Sequence, residues 1–379
     1  MTQLATEALR SSRRPLPEGW RWVRLGDVAN YVNGRAFKPD EWATAGVPII
    51  RIENLNSPEA PFNYLNGEPE PRHRVEDGDL LISWSASLDA YIWRRGPAVL
   101  NQHIFRVLEH SDLVTRGYLY WVARNAMSEI RAQVHGATMR HITKPEFEAI
   151  QIPLPPLEEQ KRIAAILEEQ MAAVERARAA AQAQLQSAKA LPAAYLRAVF
   201  DSPEAQRWPR KLLAQVCDLE SGCFLPREQV TFDGPVPVYG ANGIIGYTTE
   251  PCFREPRIVL GRVGSCGAVN ATSGPAWITD NTIVCNPRQE IDLAFLRAFL
   301  ESANVGSLRS SSIQPLITQA AVRRLLVPVP LISDQRRTAA ARAEQQGSAE
   351  RLCDALETQL QVINRLPAAI LRQAFIGAL

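Results

Sequence analysis

Residues 152–164 read Ile-Pro-Leu-Pro-Pro-Leu-Glu-Glu-Gln-Lys-Arg-Ile-Ala, and residues 327–339 read Val-Pro-Val-Pro-Leu-Ile-Ser-Asp-Gln-Arg-Arg-Thr-Ala. Gln160 and Gln335 hold the same place in the two segments, which sets an offset of 175 residues (335 minus 160). The same offset joins the Leu-Pro-Ala-Ala of 191–194 to that of 366–369. A repeat of this kind, without gaps, indicates one helical unit used twice.

Each copy of the repeat predicts the start of a helix. Alternating prolines favour an extended chain, because each ring fixes φ, removes a donor and disfavours the α region for the preceding residue. Acidic residues follow, Glu158 and Glu159 in one copy and Asp334 in the other, where the positive end of a helix dipole begins.

A seven-residue periodicity runs through both predicted helices. Two rows of positions form narrow stripes of alanine, glutamine and larger apolar residues, which suit two helices that approach closely. In the first helix the rows are Ile163, Gln170, Ala177, Gln184 and Leu191, and Leu167, Val174, Ala181, Ala188 and Tyr195. In the second they are Thr338, Gln345, Leu352, Gln359 and Leu366, and Arg342, Ala349, Leu356, Ile363 and Ile370. Pro192 and Pro367 are expected to kink or restart the helices.

A second repeat precedes each helix. Trp20–Val28 aligns with Trp208–Val216 at an offset of 188, which falls to 178 at Leu80 against Ile258 and to 175 at Ile142 against Ile317. A framework that persists while the offset changes indicates a duplicated domain whose loops have diverged in length.

Short apolar runs between Gly, Pro and Asn predict the strands of a compact sheet in each long segment. They are Val47–Ile50, Leu80–Trp84, Ile104–Leu108, Val236–Val238, Ile258–Leu260 and Ile283–Cys285. Helical spacing of apolar residues predicts a helix over Tyr118–Arg131 and another over Leu293–Ala303. The expected order is therefore mixed α/β domain, helix, mixed α/β domain, helix.

Composition limits the function classes. The chain has 379 residues and a formal net charge of +2, and residues 1–150 carry 18 Lys+Arg against 18 Asp+Glu. Binding to nucleic acid must then depend on where charges are placed and not on bulk charge. No run of 18 apolar residues and no secretory signal is present, so a cytoplasmic protein without membrane contact is expected. The six cysteines lack the spacing of a zinc site.

Several motifs follow one another in order. The first half carries Leu16–Trp20, Asp79–Ser83, Asn101–His103 and the Pro-rich helix start at 152–160, and the second half carries Val236–Gly243 and Asp280–Thr282. With them, the chain from Leu16 to Leu379 resembles the DNA-specificity subunits of type I restriction-modification systems. The resemblance implies an α+β fold, in which two target-recognition domains alternate with two long helices that pair as an antiparallel coiled coil with internal pseudo-twofold symmetry. The implied bounds are a flexible tail at 1–16, recognition domains at 17–157 and 203–332, and spacer helices at 158–202 and 333–379.

The resemblance also implies a chain without catalytic residues or a cofactor of its own. Each recognition domain would read one half of a bipartite, asymmetric double-stranded DNA site. The helices would act as a spacer and would dock DNA adenine methyltransferase subunits, expected to be two, which bind S-adenosylmethionine. A motor-endonuclease restriction subunit would join them for cleavage and phage defence.

Candidate DNA contacts are polar residues in loops that contain glycine, since loops read base edges, and Arg, Lys, Ser, Thr and Asn contact phosphates. In the first domain these are Arg35, Lys38, Arg51, Asn54, Ser83, Ser85, Gln102, His103, Thr138, Arg140 and His141. In the second they are Arg227, Asn242, Arg262, Ser265, Asn281, Arg309, Ser311, Ser312 and Gln314. Each has the alternative of a solvated loop or a turn cap. Several tryptophans could stack on bases, but core packing explains most of them better.

Other functions are disfavoured by missing motifs. His103 and His141 lack carboxylates or cysteines at metal-ligand spacing, and Pro39–Glu41 lacks the lysine that a nuclease acid pair requires. No Asn-Pro-Pro-Tyr or Asp-Pro-Pro-Tyr, Gly-rich cofactor loop or phosphate loop indicates an enzyme. Two alternatives stay open: the specificity subunit of a system whose methylase and nuclease are fused, and a coiled-coil scaffold that binds no DNA.

Overall fold

The computed structural model describes residues 15–85, 87–133, 143–310 and 316–379, without the side chains of 131–133. The chain forms two compact units, one of residues 1–180 with 359–379 and the other of 181–358. Within the described ranges, no helix combines the length and apolar content that a membrane crossing requires.

The first unit contains eleven described strands in three sheets. The strands are β1 (Arg21–Arg24), β2 (Ala29–Asn33), β3 (Trp42–Ala43), β4 (Val47–Ile50), β5 (Asn63–Leu65), β6 (Arg74–Val75), β7 (Leu80–Ser83), β8 (Asp89–Ile92), β9 (Ala98–Leu100), β10 (Ile104–Glu109) and β11 (Gln151–Leu154). The sheet orders are β1-β11, β2-β10-β7-β8 and β3-β5-β4-β9-β6. The helices are α1 (Leu25–Val28), α2 (Ile52–Asn56), α3 (Arg116–Gln133) and α4 (Lys144–Glu148), followed by the long helix α5 (Leu157–Phe200).

The second unit repeats this plan with fewer strands. They are β12 (Arg210–Leu212), β13 (Cys217–Ser221), β14 (Val236–Gly240), β15 (Gly243–Thr248), β16 (Ile258–Gly261), β17 (Val269–Ala271), β18 (Trp277–Ile278), β19 (Thr282–Pro287) and β20 (Leu326–Pro328). The sheet orders are β12-β20, β13-β19-β16-β17 and β15-β14-β18. The helices are α6 (Pro203–Gln206), α7 (Leu213–Val216), α8 (Leu293–Ser302), α9 (Gln319–Arg323) and the long α10 (Ile332–Phe375).

The matching sheet orders confirm the duplicated framework. The pair β1-β11 corresponds to β12-β20, and the four-stranded sheet β2-β10-β7-β8 corresponds to β13-β19-β16-β17. In the remaining sheet, β4 pairs in parallel with β9 as β14 does with β18. The two helices and six strands predicted from the sequence are all present, with ends shifted by three residues at most.

Each domain shares its core with parts of the long helices. In the first unit, Tyr118 of α3, Leu167 of α5 and Phe375 of α10 belong to one buried cluster with the β2-β10-β7-β8 sheet. In the second unit, Phe200 of α5 and Phe295 of α8 belong to the corresponding cluster. Burial of this apolar surface attaches the helices to the domains.

The long helices run antiparallel within each unit. In the first unit, Arg178 Nε donates to Asn364 Oδ1 at 2.9 Å, and Arg162 Nη2 donates to the carbonyl of Leu379 at 2.8 Å. In the second, Lys189 pairs with Glu357 at 3.0 Å.

One predicted row of each helix is confirmed, and the other is wrong by one position beyond its first member. Val174, Ala181 and Ala188 of α5 are buried, as are Ala349, Leu356 and Ile363 of α10. In the other row, the first members Ile163 and Thr338 are buried as predicted. Further along, burial falls one residue later: Leu185 of α5 is buried, and Arg178 of α5 and Gln346, Cys353 and Leu360 of α10 are half-buried. Leu191, Leu352 and Leu366, which were predicted to face the partner helix, are exposed.

Neither helix restarts at its proline. Pro192 and Pro367 lie inside continuous helices, α5 and α10. A proline removes one hydrogen bond from a helix, but the turns on either side keep their own hydrogen bonds, so the helix continues through it. Buried residues lie on both sides of Pro192, at Leu185 and Leu196.

Candidate nucleic-acid interface

A glycine in each domain brings two loops into contact. In the first domain, a Cβ atom at Gly34 would lie 2.0 Å from the carbonyl oxygen of Asn101, so only glycine fits there. In the second, a Cβ atom at Gly222 would lie 2.1 Å from the carbonyl oxygen of Thr279. The next residues, Arg35 and Cys223, each form an isolated β-bridge across that contact.

Both domains share a second backbone contact. It joins the loop after β7 to the residue before β10 in the first domain, and the loop after β16 to the residue before β19 in the second. The amide of Trp84 donates to the carbonyl of His103 at 3.1 Å, and the amide of Arg262 donates to the carbonyl of Asn281 at 3.1 Å. The repeat therefore places Trp84 where the second domain has Arg262, and His103 where it has Asn281. The frame is common to both domains, and the side chains it presents differ.

In the first domain, Arg35 forms an ion pair with Glu41. Its guanidinium lies 2.7 Å from the Glu41 carboxylate and 4.0 Å from the centroid of the Phe37 ring. The hydrogen bond from Arg35 lowers the pKa of Glu41 to about 2, and the same bond raises the pKa of Arg35. Lys38 and Gln102 are exposed near this pair.

His103 has an unusual backbone conformation, with φ of 72°. Its ring meets Trp84 edge-on at 4.8 Å, and Trp84 stacks on the buried Phe105 at 5.8 Å and donates to Asn33 Oδ1 at 3.2 Å. Trp84 thus packs between the loop at His103 and the buried Phe105, as the core-packing interpretation of the tryptophans predicts. Within the described residues, no group of three His, Cys, Asp or Glu side chains is arranged to hold a metal ion.

Three of the candidate DNA contacts face the interior. Asn54 accepts from the amide of Arg51 at 3.0 Å and donates to the carbonyls of Ala60 and Pro61, so it caps α2. Ser83 donates to the carbonyl of Ser87 and accepts from the amide of Asp89. Asn54, Ser83 and Ser85 are all buried, and we leave them out of the interface because their atoms are not accessible to a duplex. The Arg51 guanidinium lies 3.0 Å from Glu53.

In the second domain, four segments meet at the end of β16. A Cβ atom at Gly261 would lie 2.6 Å from the carbonyl oxygen of Ala241, and one at Gly267 would lie 2.2 Å from the amide nitrogen of Gly306. Arg262 is joined to Asn281 through the backbone, as described above. We call residues 241–242, 262–267, 281 and 306–310 the second-domain loops. They bring together the candidates Asn242, Arg262, Ser265, Asn281 and Arg309.

Arg262 is the most distinctive side chain in the second-domain loops. It is partly buried, and its Nε atom has no hydrogen-bond partner among the described residues. A buried guanidinium nitrogen without a partner is costly. Because Nε is enclosed by the protein, only the partly exposed remainder of the Arg262 side chain is open to a phosphate or a guanine edge.

The other candidates are less informative. Arg227 starts a separate exposed turn, Arg227–Gln229. Thr138, Arg140, His141, Ser311, Ser312 and Gln314 lie outside the described residues.

Sequence reasoning missed two exposed isoleucines beside the second-domain loops. Ile244 and Ile245 lie on β15 directly after the Asn242 turn, with more than half of each residue exposed. The available signal was the run Gly243-Ile-Ile-Gly246, in which apolar residues are enclosed by glycines.

Comparison with known proteins identifies the family. Residues 17–182 and 206–370 match the type I restriction modification DNA specificity domain. The chain is 30% identical over 164 residues to the type I restriction enzyme EcoBI specificity subunit of Escherichia coli, covering 43% of this chain and 34% of that protein. It is 31% identical over 156 residues to the MjaVIII specificity subunit of Methanocaldococcus jannaschii, covering 40% and 36%. The aligned part thus spans about a third of the length of these relatives.

Solved structures share the fold over nearly the whole chain. A chain from work on complex assembly and conformational transition of the type I R-M system matches with a TM-score of 0.78 at 22% identity, covering 97% of this chain and 100% of that one. The HsdS subunit from Thermoanaerobacter tengcongensis matches with a TM-score of 0.62 at 22% identity, covering 97% and 99%. Because the family match extends over most of both halves, the chain belongs to the type I restriction modification DNA specificity family.

Proposed function

We propose that each α/β domain reads one half of a bipartite, asymmetric DNA site. The observation that carries this proposal is the common frame of the two domains, with equivalent glycine contacts and sheet orders but different side chains at equivalent loop positions. Two readers built on one frame but with different loop residues would select different sequences.

Local charge placement supports DNA as the ligand. The net charge of +2 provides little general attraction to polyanions. Phosphate contacts must come from particular groups. Among the candidates, the exposed polar residues are Lys38, Gln102, Arg227, Asn242, Ser265, Asn281 and Arg309, and Arg262 is partly exposed. Binding should then weaken as salt rises, because each phosphate contact releases counterions.

The long helices are proposed to space the two readers and to dock DNA adenine methyltransferase subunits. Leu191 of α5 and Leu352, Val362 and Leu366 of α10 are large apolar residues that lie exposed on these helices. Exposed apolar residues on a helix offer contact area to a protein partner. The methyltransferase subunits would supply S-adenosylmethionine and the chemistry, and a motor-endonuclease subunit would add cleavage.

Mapping modified adenines genome-wide, in the native host and in a strain that lacks this chain, tests the proposal. We expect one asymmetric bipartite motif to disappear without the chain. Exchanging residues 20–150 for those of a relative should then change one half of the motif and leave the other. If both halves change together, the assignment of one domain to one half-site is wrong.

The two alternatives make different predictions. A fused methylase-nuclease partner predicts a single neighbouring gene that encodes both activities, with the same loss of a motif. A coiled-coil scaffold that binds no DNA predicts that no motif is lost and that the purified complex shows no salt-dependent binding to duplex.

A further inference from the structure

The hairpin of β14 and β15 presents apolar side chains to solvent where a folded domain would normally bury them. Ile244 is 53% exposed and Ile245 is 58% exposed. Successive residues of a regular strand point to opposite faces, so at most one of two neighbours is expected to be open on a half-buried sheet. Here both are open.

A β-bulge explains the double exposure. Val238 pairs with Gly246 and Tyr239 pairs with Ile244, so Ile245 is the extra residue and has no partner on β14. Bulges redirect side chains and are frequent beside functional sites. Gly240 makes room for the redirected side chain, because a Cβ atom there would lie 2.9 Å from Ile245 Cγ2.

The hairpin is continuous with the second-domain loops. Its two-residue turn, Ala241 and Asn242, lies against Gly261, from which the loop containing Arg262 and Ser265 departs. On the other side of the turn, a Cβ atom at Gly243 would lie 3.6 Å from Asn270 Oδ1. The isoleucines are therefore neighbours of the polar residues proposed to contact DNA.

We infer that this hairpin enters the major groove and that Ile244 and Ile245 contact the C5 methyl group of a thymine in the half-site read by the second domain. The inference rests on the proposed function and names part of its specificity. β14 also pairs with β18 at Val238 and Tyr239, so the part offered to the groove is the two-stranded tip beyond that pairing, residues 240–245. The major groove admits a two-stranded ribbon, and thymine alone among the bases offers a methyl group there. Asn242, at the tip, has the amide that pairs with an adenine edge. The hairpin thus suits an A·T-containing half-site.

The test compares thymine with uracil, which lacks only this methyl group. The full chain is assembled with its methyltransferase subunits, and binding is measured to duplexes of the mapped motif with each thymine replaced singly by uracil. We expect that uracil at one position in the half-site of the second domain weakens wild-type binding about fourfold, which is the contribution of one buried methyl group.

Substitution of the isoleucines should remove that sensitivity. With Ile244→Ala and Ile245→Ala, singly and together, binding to the thymine duplex should weaken and the uracil at that position should make no further difference. Leu326→Ala is the matched control, because Leu326 is also an exposed apolar residue on a strand of this domain. It should keep the full difference between thymine and uracil.

Three results would overturn the inference. Uracil could have no effect at any position on a wild-type complex that binds its motif, or it could affect the isoleucine variants as much as the wild type. The variants could instead fail to bind the methyltransferase while folding normally, which would make the hairpin a protein-docking surface. A fourth result, a wild-type complex that binds no motif, would contradict the proposed function itself. In the first three results the wild-type complex still binds its motif, so the two kinds of failure can be told apart.

Discussion

At the scale of single residues, the hydrogen bonds of Gln160 and Gln335 explain why both copies of the helical repeat have glutamine at this place. Gln160 accepts from the amide of Thr115 at 2.8 Å and donates to the carbonyls of Leu113 and Pro155 at 2.9 Å. Gln335 accepts from the amide of Asp292 at 2.7 Å and donates to the carbonyls of Glu290 and Pro330. Both side chains are fully buried. Each glutamine therefore ties the start of a long helix to the start of the domain's main helix.

Replacing Gln335 by leucine should destabilise the protein markedly. One backbone N–H and two carbonyls would lose their partner in a buried site, so we expect the free energy of unfolding to fall by about 3 kcal/mol. Urea denaturation measures this change. Gln184→Leu on the exposed face of α5 is the control and should change stability by no more than about 0.5 kcal/mol. Equal losses in the two variants would show that Gln335 does not act through its hydrogen bonds.

The ion pair of Arg35 and Glu41 predicts a pH dependence. The folded pKa of Glu41 is about 2, below its ordinary value of 4.5, so the pair stabilises the fold above pH 4.5 and loses this effect as the pH falls towards 2. In thermal unfolding, Glu41→Gln should be slightly less stable than the wild type at pH 7, with the difference vanishing near pH 2. The effect is small because the pair is near the surface. Glu59→Gln, at an exposed position, should show no such trend, and a constant difference for Glu41→Gln would contradict the assignment.

At the scale of elements, the long helices show how a heptad prediction can be half right. The row of Val174, Ala181 and Ala188 is buried as predicted. The second row begins as predicted, at the buried Ile163 and Thr338, and further along it is displaced by one residue in both α5 and α10. Alanine and glutamine dominate the sequence here, so the hydrophobic contrast that assigns a face is weak. The domains, which bury other parts of the same helices, decide the rotation.

Truncating two leucines tests the corrected face. Leu185 is 8% exposed and Leu191 is 49% exposed, although only Leu191 lies on a predicted row. Leu185→Ala should lower the free energy of unfolding by about 2 to 3 kcal/mol, since it opens a cavity. Leu191→Ala, measured in the same denaturation series, should have a much smaller effect. The reverse order would restore the register predicted from the sequence.

At the scale of the whole molecule, both long helices contribute to both compact units. Residues up to 180 of α5 belong to the first unit and the rest to the second, and α10 divides likewise at 358. Each helix is thus a continuous element shared by the two compact units. Under the proposed function, the length of the helices becomes a determinant of the gap between half-sites.

Removing one heptad from each helix tests this role. Residues 172–178 of α5 and 364–370 of α10 contain a contact between the helices, that of Arg178 with Asn364. Deleting both segments removes about 10 Å of helix, which corresponds to about three base pairs. We expect the mapped motif to keep both half-sites and to change its gap. Ala177→Ser, at an exposed position in the same segment, should leave the gap unchanged. An unchanged gap in a folded double deletion would contradict the spacer role.

The sequence alone was enough for the architecture. Proline pairs, acidic first turns and an offset of 175 predicted where α5 and α10 begin, because these signals act through local backbone chemistry. Short apolar runs predicted the strands, since alternation and burial are encoded within a few residues. The duplication was visible for the same reason: equivalent frames require equivalent local patterns.

Tertiary structure alone decided which residues are accessible and which segments meet. Asn54 and Ser83 have the composition of a binding loop, but their hydrogen bonds are made within the domain. Arg262, Asn281 and the isoleucines of β15 come together through contacts between strands that are far apart in the chain. A local sequence pattern does not show that a glycine is required because a distant carbonyl lies where its Cβ atom would be. It also does not show that one strand of a hairpin contains an extra residue. Both depend on where the rest of the chain lies.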